Sequence, residues 1–495
     1  MAASQNYLAF DLGAESGRAI LGQFDGNKFT LSEVHRFLNI PVIMPHKHGS
    51  SSMRWDILRL WSEVKEGIAR ITRKQGETIT AIGVDTWGVD FGLIDEKGAL
   101  ISAPYAYRDK RTDGVMEKAF ERLSREQIFE QTGIQFLQLN SLFQLVAMVL
   151  DDAPEFKIAK VFLTMPDIIN YWLTGDTVNE FTIATTTQCY DPRKRKWAYP
   201  VLEAMGIPTH IFGEIVSAGT YLGKVTRQLS EELNTHASVV APACHDTGSA
   251  AAAVPSAHND VVWISSGTWS ILGTNVENPI INEQSLSQNF TNEGGVGNTY
   301  RFCKNITGLW LVQECRRAWA LEGKEYSYAE LTEMAALAKP LQCFVDPDSP
   351  DFLHPGDMPQ KIVNYCKRTN QAIPENQAAI VRCALESIAL KYRHVLEKLE
   401  QIVGKPLSPL HIVGGGTKNQ LLNQFTADAT KKEVVCGPSE ATALGNMMMQ
   451  AVALGNISSI QEGREVIRRS CEVSTYQPKD PSAWDEAYQR FLALL

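Results

Sequence analysis

Two stretches in opposite halves of the chain, FDLGAESGRAILG at 10–22 and WISSGTWSILG at 263–273, share one plan. Each is an apolar run, a turn rich in small residues, and a returning apolar run that closes on Ile-Leu-Gly. That pattern predicts a β-hairpin at the head of each half, with glycine supplying turn freedom and close backbone approach. Repetition of the plan points to an ancient duplication with a cleft between the copies. Any two hairpins share this much, so the residues alone leave duplication open.

The flanking pattern fits two α/β layers. In the first half, strands YLAFDLG, RAILGQF and TLSEVHRF precede a helix from Asp56 to Lys74 and a strand TAIGVDTW. In the second, DVVWISSG and TWSILGTN lead to a long helix carrying Ile380, Leu385, Ile388, Ala389, Tyr392, Leu396 and Leu399 on one face at helical spacing. At 495 residues the chain exceeds one ordinary core. The switch between halves falls near AVPSAHND at 253–260. The expected domains are 6–252 and 258–454, with a helical tail over 455–495 that packs back on the body.

Charge narrows the partners. With 47 Lys and Arg against 56 Asp and Glu the net charge is −9, and no basic block offsets it, which excludes a nucleic-acid surface. No apolar run approaches the ~20 residues of a membrane span, and the start lacks the basic and apolar regions of a signal peptide. Nine scattered cysteines without a CxxC pair indicate neither zinc nor a disulfide framework. The expectation is a cytoplasmic chain, a monomer or small homo-oligomer, acting on small molecules.

Five constellations carry candidate chemistry. Asp11, Gly13, Gly17 and Arg18 combine turn amides and a guanidinium that suit phosphate with an acid that suits its Mg²⁺. An ordinary hairpin with a surface arginine reads the same way. No Walker loop or GxGxxG is present. Ser265, Ser266, Gly267 and Thr268 offer hydroxyls and amides without charge. VGGGTKN at 413–419 ends a strand before the helix NQLLNQFTADA, a place where a ring or ribose can lie against bare backbone and where α/β turns also use glycine.

In APACHDTGSAAAA, Asp246 stands at the start of a helix of tiny residues, as either an N-cap or a general base beside phosphate. GVDTWGVDF supplies Asp85, Trp87, Gly88 and Asp90, and AYRDKR supplies Tyr107, Arg108 and Asp109. Aromatic faces and short carboxylates suit a sugar, though buried strand residues would look alike.

The order of these signals resembles the FGGY family of carbohydrate kinases, over about Tyr7 to Leu454. Finer segments, among them YAYRDKRTDG, TGIQFLQLNSLFQL, LTMPD, EFTIATTTQ, TNEGG, KNITGLWLVQE and HIVGGG, resemble its rhamnulokinase branch. The resemblance implies two ribonuclease-H-like domains of the actin–hexokinase type with a cleft between them. It implies that Ala14, Glu15, Ser16, Gly17 and Arg18 hold ATP phosphates, with Asp11 near Mg²⁺ through water. Thr268, Gln313 and Gly415 complete the nucleotide site, Gly88, His245, Asp246, Thr247 and Asn305 face the sugar, and Asp246 is the catalytic base.

A Cys366–Cys383 bridge is also implied, against the reduced thiols expected of a cytoplasmic protein. Ala14 departs from the Thr of many members, which argues against a glycerol- or xylulose-type assignment, and Glu15 should point to solvent. The expected reaction is ATP-dependent phosphorylation of the C1 hydroxyl of L-rhamnulose. L-fuculose or L-xylulose kinases, and a non-catalytic ATP-driven chaperone or filament protein, remain the alternatives.

Overall fold

A computed structural model describes residues 4–256 and 261–495. Residues 257–260, the end of the expected switch segment, lie outside the described residues. The chain forms two compact units that are not contiguous in sequence. Segments Asn275–Phe302 and Ala441–Ser470 join the N-terminal stretch, while Cys303–Glu440 and Cys471–Leu495 join the hairpin that ends near Thr274.

The first unit is built on a six-stranded sheet in the spatial order Thr220–Lys224, Ser238–Ala241, Ala81–Thr86, Gln5–Leu12, Ser16–Phe24, Phe29–Leu38. Gln5–Leu12 runs antiparallel to Ser16–Phe24 and parallel to Ala81–Thr86. Leu8, Ala9 and Phe10 are wholly buried, as a run covered on both faces must be. Helix Ile57–Ala69 follows, with Asp56 capping it through Arg59 N–H and a π-helical turn over Arg70–Gln75.

Helix Ala441–Ala453 lies against this sheet and against the short helix Asp246–Ala252. The contacts are close because the touching positions lack a Cβ. One added at Gly83 would lie 2.3 Å from Asn446 Oδ1, and one at Gly445 only 1.9 Å from the Ser249 carbonyl oxygen. The tiny residues after Asp246 therefore serve the close packing that their sequence predicts.

The second unit repeats the strand order. Six of the seven strands of its sheet, Tyr300–Thr307, Trp269–Val276, Val262–Ser266, Leu410–Val413, Val434–Cys436 and Ser474–Tyr476, lie side by side in that order, the last antiparallel to its neighbour. In both sheets a hairpin provides the first two strands and the next two in space join it in parallel. Helix Gln377–Val403 buries every residue expected of its apolar face. Its first turns also bury Val381, Cys383, Ala384, Glu386 and Ser387, so this stretch is enclosed rather than amphipathic.

The tail is shared. Helix Ile460–Ser470 holds the first unit through Phe29 N–H donating to Ser470 Oγ (2.8 Å). Strand Ser474–Tyr476 and helix Pro481–Leu492 belong to the second unit, where Trp484 packs on Phe425.

Candidate active site

The first hairpin turns between Leu12 and Ser16. Its acid and base are neighbours in register: Asp11 stands directly opposite Arg18, and the guanidinium donates to Asp11 Oδ2. The tip is braced by Asn39, whose side chain donates to the Gly13 carbonyl (2.9 Å) and whose N–H donates to the Glu15 carbonyl (2.9 Å). Glu15 is exposed, as expected.

The reason for glycine here differs from the sequence reading. Gly13, Gly17 and Gly267 all lack positive φ. Gly17 is needed for space, since a Cβ there would lie 2.3 Å from the Phe37 ring.

Beneath the hairpin, Asp85 stands beside Asp11 on the adjacent parallel strand. It is wholly buried, and Asn446 Nδ2 donates to its Oδ2 (2.5 Å) while Gln450 supports Asn446. Burial, then the Asp11 charge, hold its carboxyl well above the usual range; Asp246 adds to the effect and Asn446 opposes it. Its Oδ1 has no hydrogen-bond partner among the described residues.

Strand Ala81–Thr86 leads on to Trp87 and Gly88, and Thr86 bridges to His245. A Cβ on Gly88 would lie 3.2 Å from Thr186 Oγ1 and 3.4 Å from His245 Nε2. The structure thus brings Gly88, His245, Asp246 and Thr247 together. Asp246 is the first helical residue and His245 the N-cap, so the N-cap reading of Asp246 is corrected by one position. Asp246 Oδ1 accepts from Thr247 Oγ1 (3.0 Å) and lies 3.4 Å from His245 Nε2. No hydrogen bond to Oδ2 occurs among the described residues, and the side chain is 31% exposed. This acid has an oxygen to spare and solvent to reach it.

His245 is oriented by groups the motif reading left without roles. Arg301, 1% exposed, donates from Nη2 to His245 Nδ1 (2.9 Å) and pairs with Glu293 (3.1 Å). The same ring nitrogen lies 3.4 Å from Glu293 Oε2, so Arg301 and Glu293 together set the orientation of the imidazole. Burial pushes the Glu293 carboxyl up, but Arg301 and then His245 outweigh it and leave a net lowering. Glu180 fixes the approach to the helix by accepting from Cys244 N–H (3.0 Å), Thr182 N–H (2.8 Å) and Ile183 N–H (3.2 Å). Burial raises its carboxyl to about 7. The signal for these residues was acids and an arginine inside otherwise apolar or small-residue segments.

Other carboxylates expected to face a sugar are engaged internally. Asp90 is wholly buried and accepts from Trp55 Nε1 (2.6 Å), Trp87 Nε1 (2.9 Å), Tyr107 N–H (3.1 Å) and Gln144 Nε2 (2.9 Å). Burial lifts it to about 6. It locks Trp55 and Trp87 together, ring centroids 4.2 Å apart, behind Gly88. Asp109 caps its own turn through Arg111 N–H and accepts from Met53 N–H.

In the second unit the turn Gly267–Thr268 is held by the start of helix Trp310–Leu321. Gly308 N–H and Trp310 N–H donate to the Thr268 carbonyl (3.1 and 3.2 Å), and Leu309 N–H donates to that of Gly267 (2.9 Å). Gln313 lies one turn into this helix, its N–H donating to the Leu309 carbonyl (2.9 Å). Gln313 Oε1 and Ser266 Oγ are buried without partners among the described residues.

The glycine run closes on the same hairpin. Gly414 has φ of 86°, and a Cβ on Gly416 would lie 2.0 Å from Ser266 Oγ. The glycine run therefore packs on Ser266, two residues before Thr268, with Gly415 open on its Cβ side. Asn305 is half-buried on strand Tyr300–Thr307 of this unit. Cys366 and Cys383 are free thiols, so the expected bridge is absent from the structure, and Cys343 joins them.

Comparison with known proteins follows this geometry. The N-terminal domain model of the FGGY family of carbohydrate kinases matches residues 6–253 and the C-terminal domain model residues 262–454. Rhamnulokinase of Bacteroides thetaiotaomicron is 42% identical over 98% of this chain and 99% of its own length. That of Bacillus subtilis is 36% identical over 96% of each. Among solved structures, a xylulose kinase from Lactobacillus acidophilus superposes with a TM-score of 0.81 at 16% identity, covering 99% of this chain and 97% of its own. A Plasmodium falciparum glycerol kinase with ADP gives 0.78 at 17% identity, covering 99% and 98%.

Proposed function

Since the chain belongs to the FGGY family of carbohydrate kinases, we propose that it transfers the terminal phosphoryl group of ATP to the C1 hydroxyl of L-rhamnulose. The products are L-rhamnulose 1-phosphate and ADP. The choice of sugar is supported by the curated rhamnulokinases, 36–42% identical along nearly the whole chain. All-thiol cysteines suit a reducing cytoplasm.

The observation that carries the mechanism is the state of Asp246. Oδ1 is held by Thr247 and faces His245, leaving Oδ2 for a proton from outside. Asp246 accepts the proton of the C1 hydroxyl as that oxygen attacks the phosphorus, which is general-base catalysis. His245, held by Arg301 and Glu293, orients the acceptor beside the bare backbone of Gly88. Thr247 and Asn305 contribute further sugar contacts. Phosphoryl transfer asks chiefly for positioning and charge stabilisation. Arg18 and the amides of Ala14, Glu15, Ser16 and Gly17 take phosphate oxygens, while Thr268, Gln313 and Gly415 take the rest of the nucleotide.

Mg²⁺ fits the donors present. The fully buried, unpartnered Asp85 Oδ1 beside Asp11 forms a carboxylate pair of the hard-oxygen kind this cation takes, directly or through water. When bound with ATP, the ion neutralises phosphate charge.

A panel of L-rhamnulose, L-fuculose and L-xylulose in a coupled ADP-release assay tests the reading. The highest kcat/KM is expected with L-rhamnulose. A preference for either other sugar would reassign the acceptor, and sugar-independent turnover would remove the kinase reading.

A further inference from the structure

Away from both hairpins, three segments of the second unit bring Cys343, Cys366 and Cys383 together. They come from the stretch before Val345, from helix Met358–Arg368 and from helix Gln377–Val403. Their Sγ atoms all lie within 4.8 Å of one another, and the residues are at most 4% exposed. Cysteine packs well as a small apolar residue, which accounts for one buried thiol at a time. Three sulfurs from three segments, mutually in reach, form a donor set.

The set is held by anchors that do not involve sulfur. Leu341 N–H donates to both oxygens of Glu386 (3.0 and 2.9 Å), and Val345 N–H donates to Ser387 Oγ (2.9 Å). Cys383, Glu386 and Ser387 share one helix face by their spacing, so these bonds lay the Cys343 stretch over Cys383. Phe344 N–H donates to Gln371 Oε1 (2.9 Å), Gln371 Nε2 returns to the Phe344 carbonyl (2.7 Å), and Gln371 N–H bonds the Cys366 carbonyl (3.0 Å). All three ligand positions are thereby fixed before anything binds.

We propose that Cys343, Cys366 and Cys383 form a three-thiolate site for a soft cation of the Cu(I) class. No histidine or carboxylate joins the trio among the described residues. Structural zinc sites take four ligands and hard cations take oxygen, whereas thiolate-only sets select soft ions. A disulfide would use two of the sulfurs and leave the third unexplained. Binding exchanges thiol protons for one cation without change of oxidation state. The site is independent of the kinase reading, and failure of the sugar assay leaves it standing.

The test titrates freshly reduced, anaerobic full-length protein with Cu(I) against a chromogenic Cu(I) chelator. One equivalent per chain is expected, with three sulfur neighbours in X-ray absorption. Cys343→Ser, Cys366→Ser and Cys383→Ser should each weaken binding by at least ~10-fold, the scale seen when even supporting metal-site groups are lost. Cys471→Ser, altering a partly exposed cysteine outside the trio, should leave it unchanged. Alanine variants replace any serine variant that does not fold, and the wild-type sulfur count stands without either. No binding by the reduced wild type, a shell of two sulfurs or of nitrogen and oxygen, or unaltered affinity in folded Cys343→Ser overturns the proposal.

Discussion

The two hairpins open sheets of the same strand order yet carry opposite equipment. The first sets Asp11 against Arg18 across the strands, with Asp85 beneath and a bracing asparagine at its tip. The second has no charge at all. Its turn is pinned by a helix start, its Ser266 is overlain by glycine, and polar atoms of Ser266 and Gln313 have no hydrogen-bond partner among the described residues. A repeated frame thus carries different side chains at its two turns. Of the two hairpins, the first carries the charge, while the second offers clearance and neutral hydrogen-bonding groups.

The sharpest test of that division is Asp246→Asn, which keeps shape and removes the proposed base. Its kcat should fall ~100-fold or more with sugar and ATP affinities retained, on the usual scale of general-base loss; steady-state rates with calorimetric titration check both halves. Next is Arg18→Met, which loses a charge-assisted contact worth about 1.5–3 kcal/mol. The KM for ATP should rise about 10- to 100-fold while that for sugar hardly moves. An equal rise in both would break the comparison.

On the other side, Gly416→Ala drives a methyl into Ser266 and should weaken ATP about tenfold, since overpacking costs about 1–3 kcal/mol. Adding Ser266→Gly should restore much of the loss, because it removes the atoms the methyl meets. Thr268→Val removes only a neutral donor and should raise the ATP KM by about two- to tenfold. If Thr268→Val exceeded Arg18→Met, charge would not be the first unit's distinction.

Much of this was legible because strand–turn–strand alternation is a local signal. The hairpins, the strand into Gly88 and the HDTGSA helix all stand where the residues place them. Three things were not local. Gly17 looked like a ligand-facing glycine, but the side chain that requires it, Phe37, comes from the next strand. Asp90 looked like a sugar ligand until Trp55, Tyr107 and Gln144 converged on it from other elements. Cys343 carried no pattern linking it to Cys366 and Cys383, because only the loop anchored on Glu386 and Ser387 brings it there. Long-range partners decide whether a polar residue is spare or spent, and periodicity does not report them.

The most direct measurement is the position of the phosphate in the product. Purified enzyme, ATP, Mg²⁺ and L-rhamnulose should yield one phosphomonoester whose phosphorus couples to C1 in carbon and phosphorus NMR. Phosphate on another carbon, or ATP split to ADP and inorganic phosphate with the sugar untouched, would contradict an acid at Asp246 aimed at that hydroxyl.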